Sequence, residues 1–169
     1  VRYHKYKNMR QIIFTFFLAG LFVGLSAGTV EYTYHFDKYD VKTSGDYSVF
    51  SFEKLFLTGK VGEPVLPYQE VKLFLPPGVI ASDIEFIGEN EIVVPGVYEL
   101  YPQQPSRPLS EHGTTAFVKN ETVYTSNNSY PYQANGIVTT EYLNGYGIAL
   151  STFTPIKYNP ALGTLSYYQ

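Results

Sequence analysis

Residues 137–153, IVTTEYLNGYGIALSTF, decide the fold. Two runs rich in β-branched and aromatic residues, 137–143 and 146–153, flank the dipeptide Asn144-Gly145. Asn-Gly between such runs is the strongest short-range sign of a β-hairpin, because a type I′ turn needs positive φ at both central residues. The stretch therefore predicts two antiparallel strands. The register that the turn implies places Glu141 opposite Ile148 on an otherwise apolar face.

Similar short runs recur along the chain, bounded by Gly, Pro, Asn or Asp. Apolar and polar residues alternate over 29–37, which predicts a half-buried strand. The other predicted strands are 47–57 with a bulge between Val49 and Phe50, 71–75, a hairpin of 84–86 and 92–94 around residues 88–90, and a last pair, 155–158 and 164–168, joined across 159–163. No window after residue 28 has ten residues of helical periodicity with a cap. We therefore expect an all-β fold, an antiparallel, jelly-roll-like β-sandwich of about eight to eleven strands.

The first 28 residues have the pattern of a secretory signal peptide. Four basic residues end at Arg10, an apolar run follows over 12–25, and Ser26, Ala27 and Gly28 form a small-residue exit. A run of this length is short for a membrane anchor, which needs about 20 apolar residues. We expect residues 1–28 to be an N-terminal extension with a signal-peptide helix, and residues 29–169 to form one domain. The expected location is secreted (periplasm, cell surface or extracellular), with membrane contact only through the signal.

Composition excludes several classes of function. The chain has 169 residues and no cysteine, so disulfide scaffolds, thiolate metal sites and thiol nucleophiles are absent. Residues 29–169 hold 8 basic and 15 acidic residues, a net charge of −7. Because affinity for phosphate backbones comes from Lys and Arg, no nucleic-acid partner is expected.

No motif in the chain indicates catalysis. A Gly-x-Ser-x-Gly nucleophile motif is absent, and the adjacent Ser110, Glu111 and His112 would point away from one another in an extended loop. His35 falls on the polar side of its predicted strand. There is no His-x-x-x-His pair and no calcium-loop pattern. We expect the chain to be no enzyme, with no metal and no cofactor.

Several phrases within the predicted domain resemble those of a known family. Residues 62–67, GEPVLP, with the following 71–78, VKLFLPPG, are similar to the opening of the propeptides of gingipain-type cysteine peptidases. Residues 153–165, FTPIKYNPALGTL, are similar to that family's closing hairpin. Residues 101–105, YPQQP, resemble a Tyr-Pro-x-Gln-Pro phrase that lies between the two.

The resemblance implies a prodomain without its peptidase domain. Its partner would be the cognate cysteine peptidase domain, in cis or in trans. Its role would be to inhibit that enzyme, and to assist its folding, by covering the active site until the connection is cleaved. The alternative is a free-standing secreted β-sandwich that binds carbohydrate or a cell-surface partner through its tyrosines.

The resemblance also implies an inhibitory loop. Residues 101–113, YPQQPSRPLSEHG, contain three prolines and cannot form a central strand, so we expect an exposed, extended loop. Arg107 is its candidate pseudosubstrate residue and the only arginine after Arg10. The other candidate contact residues in the loop are Tyr101, Gln104, Pro105 and Pro108.

Overall fold

The computed structural model describes residues 28–108, 110 and 116–169. The predicted signal-peptide helix therefore lies outside the described residues. Over the described ranges the chain forms nine strands and one short helix. These are β1 (Tyr39–Ser44), β2 (Tyr47–Phe52), β3 (Phe56–Thr58), β4 (Leu66–Phe74), β5 (Glu91–Val94), α1 (Glu121–Tyr124), β6 (Thr139–Leu143), β7 (Tyr146–Phe153), β8 (Ile156–Asn159) and β9 (Thr164–Tyr168).

The strands pair into three antiparallel sheets. β1 and β2 form a two-stranded sheet, β3-β4-β7-β6 a four-stranded sheet, and β5-β9-β8 a three-stranded sheet. Four pairings join consecutive strands, β1–β2, β3–β4, β6–β7 and β8–β9. The other two, β4–β7 and β5–β9, join strands far apart in sequence. The predicted all-β, antiparallel class is confirmed.

The hairpin predicted from Asn144-Gly145 is present. Asn144 has φ 51° and Gly145 has φ 83°, so both turn residues are in the left-handed region. Leu143 lies opposite Tyr146, and the predicted pair Glu141 and Ile148 is also formed.

The closing hairpin β8–β9 is locked by its turn. The Asn159 side chain accepts the Leu162 amide at 3.1 Å and donates to the Asn127 carbonyl at 3.0 Å. Gly163 has φ +64°, and its carbonyl accepts the Tyr98 amide at 2.8 Å. The turn therefore also joins the hairpin to the chain segment after β5.

An aromatic core connects the sheets. Phe52 of β2 contacts Tyr167 of β9 with ring centroids 5.4 Å apart. Phe36 contacts Phe52 at 5.5 Å and Phe153 of β7 at 6.0 Å. Since all four side chains are buried, one apolar core is shared by strands of all three sheets.

Three sequence-based expectations about strands are wrong. No strand forms over 28–38, although apolar and polar residues alternate there, because no second strand pairs with this segment. Phe36 is nevertheless buried. Residues 47–57 contain no bulge, because β2 pairs with β1 in unbroken register and the chain turns before β3. Residues 84–87 form no strand, so β5 pairs with the distant β9 instead of closing a hairpin.

The chain divides into two compact units. The first ends at Tyr34, and in its described part Tyr32 and Tyr34 make an edge-to-face ring contact at 4.8 Å. The second spans His35–Gln169 and contains every strand given above.

Gly163→Ala should destabilise the chain more than Gly45→Ala does. Both glycines have φ near +60°, but a Cβ at position 45 meets nothing within 4 Å. At position 163 it lies 3.0 Å from the Tyr98 carbonyl oxygen and 2.6 Å from a Val97 methyl group. We expect a loss in unfolding free energy of about 1 kcal/mol for Gly45→Ala and about 2–4 kcal/mol for Gly163→Ala. Urea unfolding measures both; equal losses would contradict the steric argument.

The three-stranded sheet should lose stability in acid through Glu91. The hydroxyl of Ser166 donates to its carboxylate at 2.7 Å and the ammonium of Lys157 at 3.0 Å. These two bonds hold the pKa of Glu91 below its ordinary value of 4.5. A depressed carboxyl pKa stabilises the fold above the unfolded-state pKa, and the stabilisation is lost as pH falls through the folded-state pKa.

Glu91→Gln should therefore flatten the dependence of stability on pH below about 4.5. The pair is exposed, so the effect stays under about 1 kcal/mol. Thermal unfolding between about pH 6 and pH 3 measures it, with Glu89→Gln as the matched control. A wild-type curve parallel to that of Glu91→Gln would show that the carboxylate contributes nothing.

Candidate functional site

The entry limb of the candidate loop, residues 99–103, is hydrogen-bonded on two sides. Ser48 of β2 donates its amide to the Glu99 carbonyl at 2.7 Å and accepts the Tyr101 amide at 2.9 Å. On the other side the Tyr101 carbonyl accepts the amide of Val65 at 2.9 Å. The expectation of an exposed loop is therefore wrong for this limb, which is bound like a strand although it contains Pro102.

Gly62 lies between the entry limb and the return limb of the loop, residues 116–120. Its amide donates to the Gln103 carbonyl at 2.7 Å, and its carbonyl accepts the Asn120 amide at 2.8 Å. Gly62 has φ +83°, and a Cβ there would lie 3.3 Å from Val118. The position therefore requires glycine for both conformation and space.

The Gln104 side chain joins the two limbs directly. Its amide nitrogen donates to the Val118 carbonyl at 2.8 Å, and its amide oxygen accepts the Val118 amide at 3.0 Å. The same nitrogen also donates to the Pro102 carbonyl at 2.9 Å. A primary amide that pairs in this way with a backbone peptide group acts as one rung of a β-ladder. Gln104 thus closes the base of the loop, and its side-chain amide is hydrogen-bonded within the chain.

Three aromatic rings pack at the same base. Tyr47 of β2 stacks on Phe117 with centroids 5.4 Å apart and meets Tyr101 edge-on at 5.9 Å. Tyr101 and Phe117 are 6.0 Å apart, also edge-to-face. Since Tyr101 and Phe117 belong to opposite limbs, the ring cluster holds the limbs together beside the Gln104 bonds.

The return limb is anchored by Lys119. Its ammonium group lies 2.8 Å from the Glu99 carboxylate and 3.3 Å from that of Glu121, and 4.8 Å above the Tyr124 ring. The hydrogen bond with Glu99 is the main cause of the raised pKa of Lys119. The buried Tyr124 hydroxyl in turn donates to the Leu100 carbonyl at 2.6 Å. The return limb is thus tied to the entry limb and to the core.

Beyond this base the described residues of the loop, 106–108 and 110, are exposed. Pro105 is half-buried, whereas Ser106, Arg107 and Pro108 are exposed. The predicted site residues are therefore divided: Tyr101, Gln104 and Pro105 belong to the base, and Arg107 and Pro108 to the projecting part. Residues 109 and 111–115 lie outside the described residues.

The described residues contain no cluster of metal-ligating side chains. Across 28–108, 110 and 116–169, no three His, Asp or Glu side chains lie close enough to hold a metal ion. His35 is exposed, and Glu111 and His112 lie outside the described residues. No helix in the described ranges is long and apolar enough to cross a membrane. What the described residues form is the hydrogen-bonded base of a loop, with Arg107 at an exposed position beyond it.

Two solved structures share this fold. A chain from the structure describing the zymogenic latency of gingipain K from Porphyromonas gingivalis matches with a TM-score of 0.64 and 24% identity, over 78% of this chain and 77% of that chain. A chain from the complex of the RgpB pro- and mature domains of Porphyromonas gingivalis matches with a TM-score of 0.62 and 18% identity, over 78% of this chain and 68% of that chain. Comparison with protein-family models and with curated proteins finds no match.

At these identities the likeness establishes the fold. The present chain has the β architecture of a chain in two gingipain structures, one about zymogen latency and one holding a pro-domain with its mature domain. The resemblance to gingipain-type propeptides seen in the sequence is thereby confirmed at the level of fold.

Sequence reasoning missed the residues that hold the loop. Phe117, Val118 and Lys119 follow the loop as an ordinary polar-apolar stretch, and no motif marks them. The one available signal was Gln104 itself, since a glutamine side chain beside proline can replace the missing backbone donor of that proline.

Gln104→Ala should loosen the base of the loop without unfolding the chain. It removes the acceptor of the Val118 amide and two donated bonds, at about 1–2 kcal/mol. Hydrogen exchange of the Val118 amide should become at least about fivefold faster. Gln103→Ala is the matched control, because the Gln103 side chain donates only to the neighbouring Gln104 carbonyl. Equal exchange in both variants would show that Gln104 does not close the loop.

Proposed function

We propose that this chain is the prodomain of a secreted gingipain-type cysteine peptidase, and that it keeps that peptidase inactive and assists its folding. The observation that carries the proposal is the fold shared with chains of a gingipain zymogen structure and of a pro-domain complex. The absence of cysteine agrees with it, since the catalytic nucleophile would belong to the partner domain.

The proposed mechanism needs no chemistry from the prodomain. A folded domain that covers the active-site cleft blocks substrate by mass action. Within one chain its effective concentration is roughly millimolar, so a modest intrinsic affinity keeps the cleft filled. Cleavage of the connection removes this advantage, and the prodomain then dissociates and is lost by dilution.

Arg107 is the proposed anchor of the inhibitory contact. Its guanidinium can form a bidentate pair with a carboxylate in a specificity pocket. The loop loses little conformational entropy on binding, because Gln104 and the ring cluster of Tyr47, Tyr101 and Phe117 already hold its limbs. The acidic body makes non-specific attraction to an acidic pocket unfavourable, so the contact depends on this one cation.

Export precedes this role. We propose that residues 1–28 direct secretion and are removed, with the mature terminus between Ala27 and Val30. The domain then acts outside the cytoplasm, where the peptidase is released.

Reading the gene beyond codon 169 tests the parent enzyme. The proposal expects an open frame that encodes an α/β peptidase domain with a catalytic Cys and His. A stop codon there, with no peptidase gene nearby, would favour a free-standing binding domain.

Arg107→Ala should weaken inhibition of the cognate peptidase domain at least about tenfold, because a desolvated arginine contact contributes about 2 kcal/mol or more. Inhibition constants of the chain added in trans measure the effect. Lys54→Ala is the matched control, since it removes an equal charge from an exposed position in the turn after β2. Equal constants for wild type and Arg107→Ala would eliminate Arg107 as the anchor.

One observation favours the second candidate function, binding of carbohydrate or a cell-surface partner. A groove of about 350 Å³ is lined by the aromatic side chains of Phe86, Tyr132 and Tyr168, with Lys157 at its side. Tyr132 is 66% exposed, so its ring face is available for stacking on a sugar. Reading the gene beyond codon 169 distinguishes the two proposals, since only the prodomain proposal expects a peptidase domain to follow.

A further inference from the structure

The outer edge of β1 is unpaired in the described part of the chain. Ser48 of β2 bonds both its amide and its carbonyl to the segment 99–101, so its backbone groups point away from β1. Ser48 lies opposite Thr43, and two residues directly opposite in an antiparallel pair either bond each other or both point outward. By alternation, the N–H and C=O groups of Tyr39, Val41 and Thr43 point to the open side. Within the described ranges none of these groups bonds to another segment.

Of the strands described, β1 is the longest with such an edge. β3 and β5, which also lie at the edges of their sheets, have three and four residues. The outer edge of β8 is occupied, because Tyr158 and Tyr130 exchange backbone hydrogen bonds of 2.9 and 2.7 Å. At β6 the amide of Ala81 donates to the Thr140 hydroxyl at 3.0 Å, so another segment lies against that strand. β1 has six residues and an unbroken register, with neither a proline nor a bulge to block pairing.

The charges of β1 are complementary to those of a second β1. Asp40 and Lys42 are two residues apart, so they share a face of the strand, and their charged groups lie 3.3 Å apart. The side chains are 59% and 75% exposed, so both are available to a partner. When two copies of β1 pair antiparallel about Val41, Asp40 of each copy lies opposite Lys42 of the other. Opposite charges in such cross-strand positions stabilise a strand pair.

The same charges disfavour the neighbouring registers. Pairing about Asp40 places the two Asp40 carboxylates opposite each other and Lys38 opposite Lys42. Pairing about Lys42 places two ammonium groups opposite each other. Like charges directly opposite destabilise a strand pair. Of the three registers, only the one about Val41 makes both charged pairs attractive.

The register about Val41 also fits the backbone. In this register Val41 faces its own copy and Tyr39 faces Thr43, and these are the residues whose backbone groups point outward. Three residue pairs with two bonds each give about six new hydrogen bonds. Tyr39, whose ring stacks on the buried Phe50 with centroids 5.0 Å apart, stays on the core side of the strand in both copies.

We infer that β1 is an interaction surface for a second copy of this chain, and that two copies join edge to edge about Val41 in a two-fold symmetric dimer. The pairing occupies the free β1 edge of both copies, so the assembly closes at two. One strand pair covers less than a standard interface of about 1,600 Å², so the dimer is weak and its population depends on concentration. The inference goes beyond the prodomain role and does not depend on it, since no residue of the loop takes part.

Sedimentation velocity tests the inference on the full chain, at concentrations up to about 1 mM, where millimolar dissociation constants are detected. It compares wild type with Asp40→Lys, with Lys42→Asp and with the exchange variant that carries both changes. Glu85→Lys is the matched control, because it makes the same change in net charge as Asp40→Lys at an exposed position outside β1. All chains carry the same residues 1–28, so association through that segment is common to all. Thermal unfolding checks that each variant is folded.

Each single variant places like charges opposite each other in both cross-strand pairs. We expect its dimer dissociation constant to rise at least about fivefold, because two attractive pairs become repulsive. The exchange variant restores opposite charges in reversed order, and an equal mixture of the two single variants restores them in a heterodimer. Both should return to within about twofold of wild type. Removal of acidic charge alone would strengthen association of the Asp40→Lys chain, so its weakening cannot come from net charge.

Three results would overturn the inference. One is a wild-type chain that stays monomeric throughout, and another is a folded single variant that associates as strongly as wild type. The third is a mixture of the single variants that associates no more strongly than its components. Glu85→Lys should leave the dissociation constant within about twofold of wild type, and a fivefold rise there would show that β1 is not the contact.

Val41→Cys gives a second readout that does not depend on charge. The chain has no other cysteine, and position 41 faces its own copy across the two-fold axis. A short thiol-to-thiol cross-linker should therefore join two copies of Val41→Cys at least about fivefold faster than two copies of Glu85→Cys. Equal rates for the two variants would overturn the register about Val41.

Discussion

The site depends above all on the backbone hydrogen bonds of residues 99–103. These residues are bonded to Ser48 of β2 on one side and to Val65 on the other. The Leu100 side chain is fully buried, and its carbonyl accepts the Tyr124 hydroxyl. A loop that begins from such a segment has a fixed starting point and direction.

The phrases that carry the family resemblance belong to the scaffold around this segment. Gly62, in GEPVLP, separates the two limbs of the loop with a positive φ that other residues rarely adopt. Asn159 and Gly163, in the closing hairpin, bind two earlier segments of the chain, at Asn127 and at Tyr98. A resemblance made of such positions predicts a fold well and says little about the tip of a loop. Because the shared phrases lie in the scaffold, a shared fold is expected even at 24% and 18% identity.

The local hairpins could be predicted from the sequence because their information is local. Asn144-Gly145 and residues 159–163 each specify a turn, and a turn specifies the register of its two strands. The pairing of β5 with β9 joins residues more than seventy positions apart, and no local pattern encodes it. Alternation over 29–37 failed for the same reason, since a strand forms only where a second strand pairs with it. Residues 101–105 are typical of a loop because their two prolines lack a backbone donor, yet the other backbone groups and the Gln104 side chain make hydrogen bonds like those of a strand.

The charge distribution gives the proposed contact its selectivity. Residues 29–169 carry a net charge of −7 and a single arginine, which lies at the exposed part of the loop. An acidic pocket would be repelled by most of this surface, so encounters that do not place Arg107 in the pocket are disfavoured. Linkage in one chain offsets that repulsion, because a roughly millimolar effective concentration does not depend on attraction between the two surfaces. After cleavage of the connection only the repulsion of the body and the single arginine contact remain. The same charge that makes the linked inhibitor selective would then favour its release from the mature enzyme.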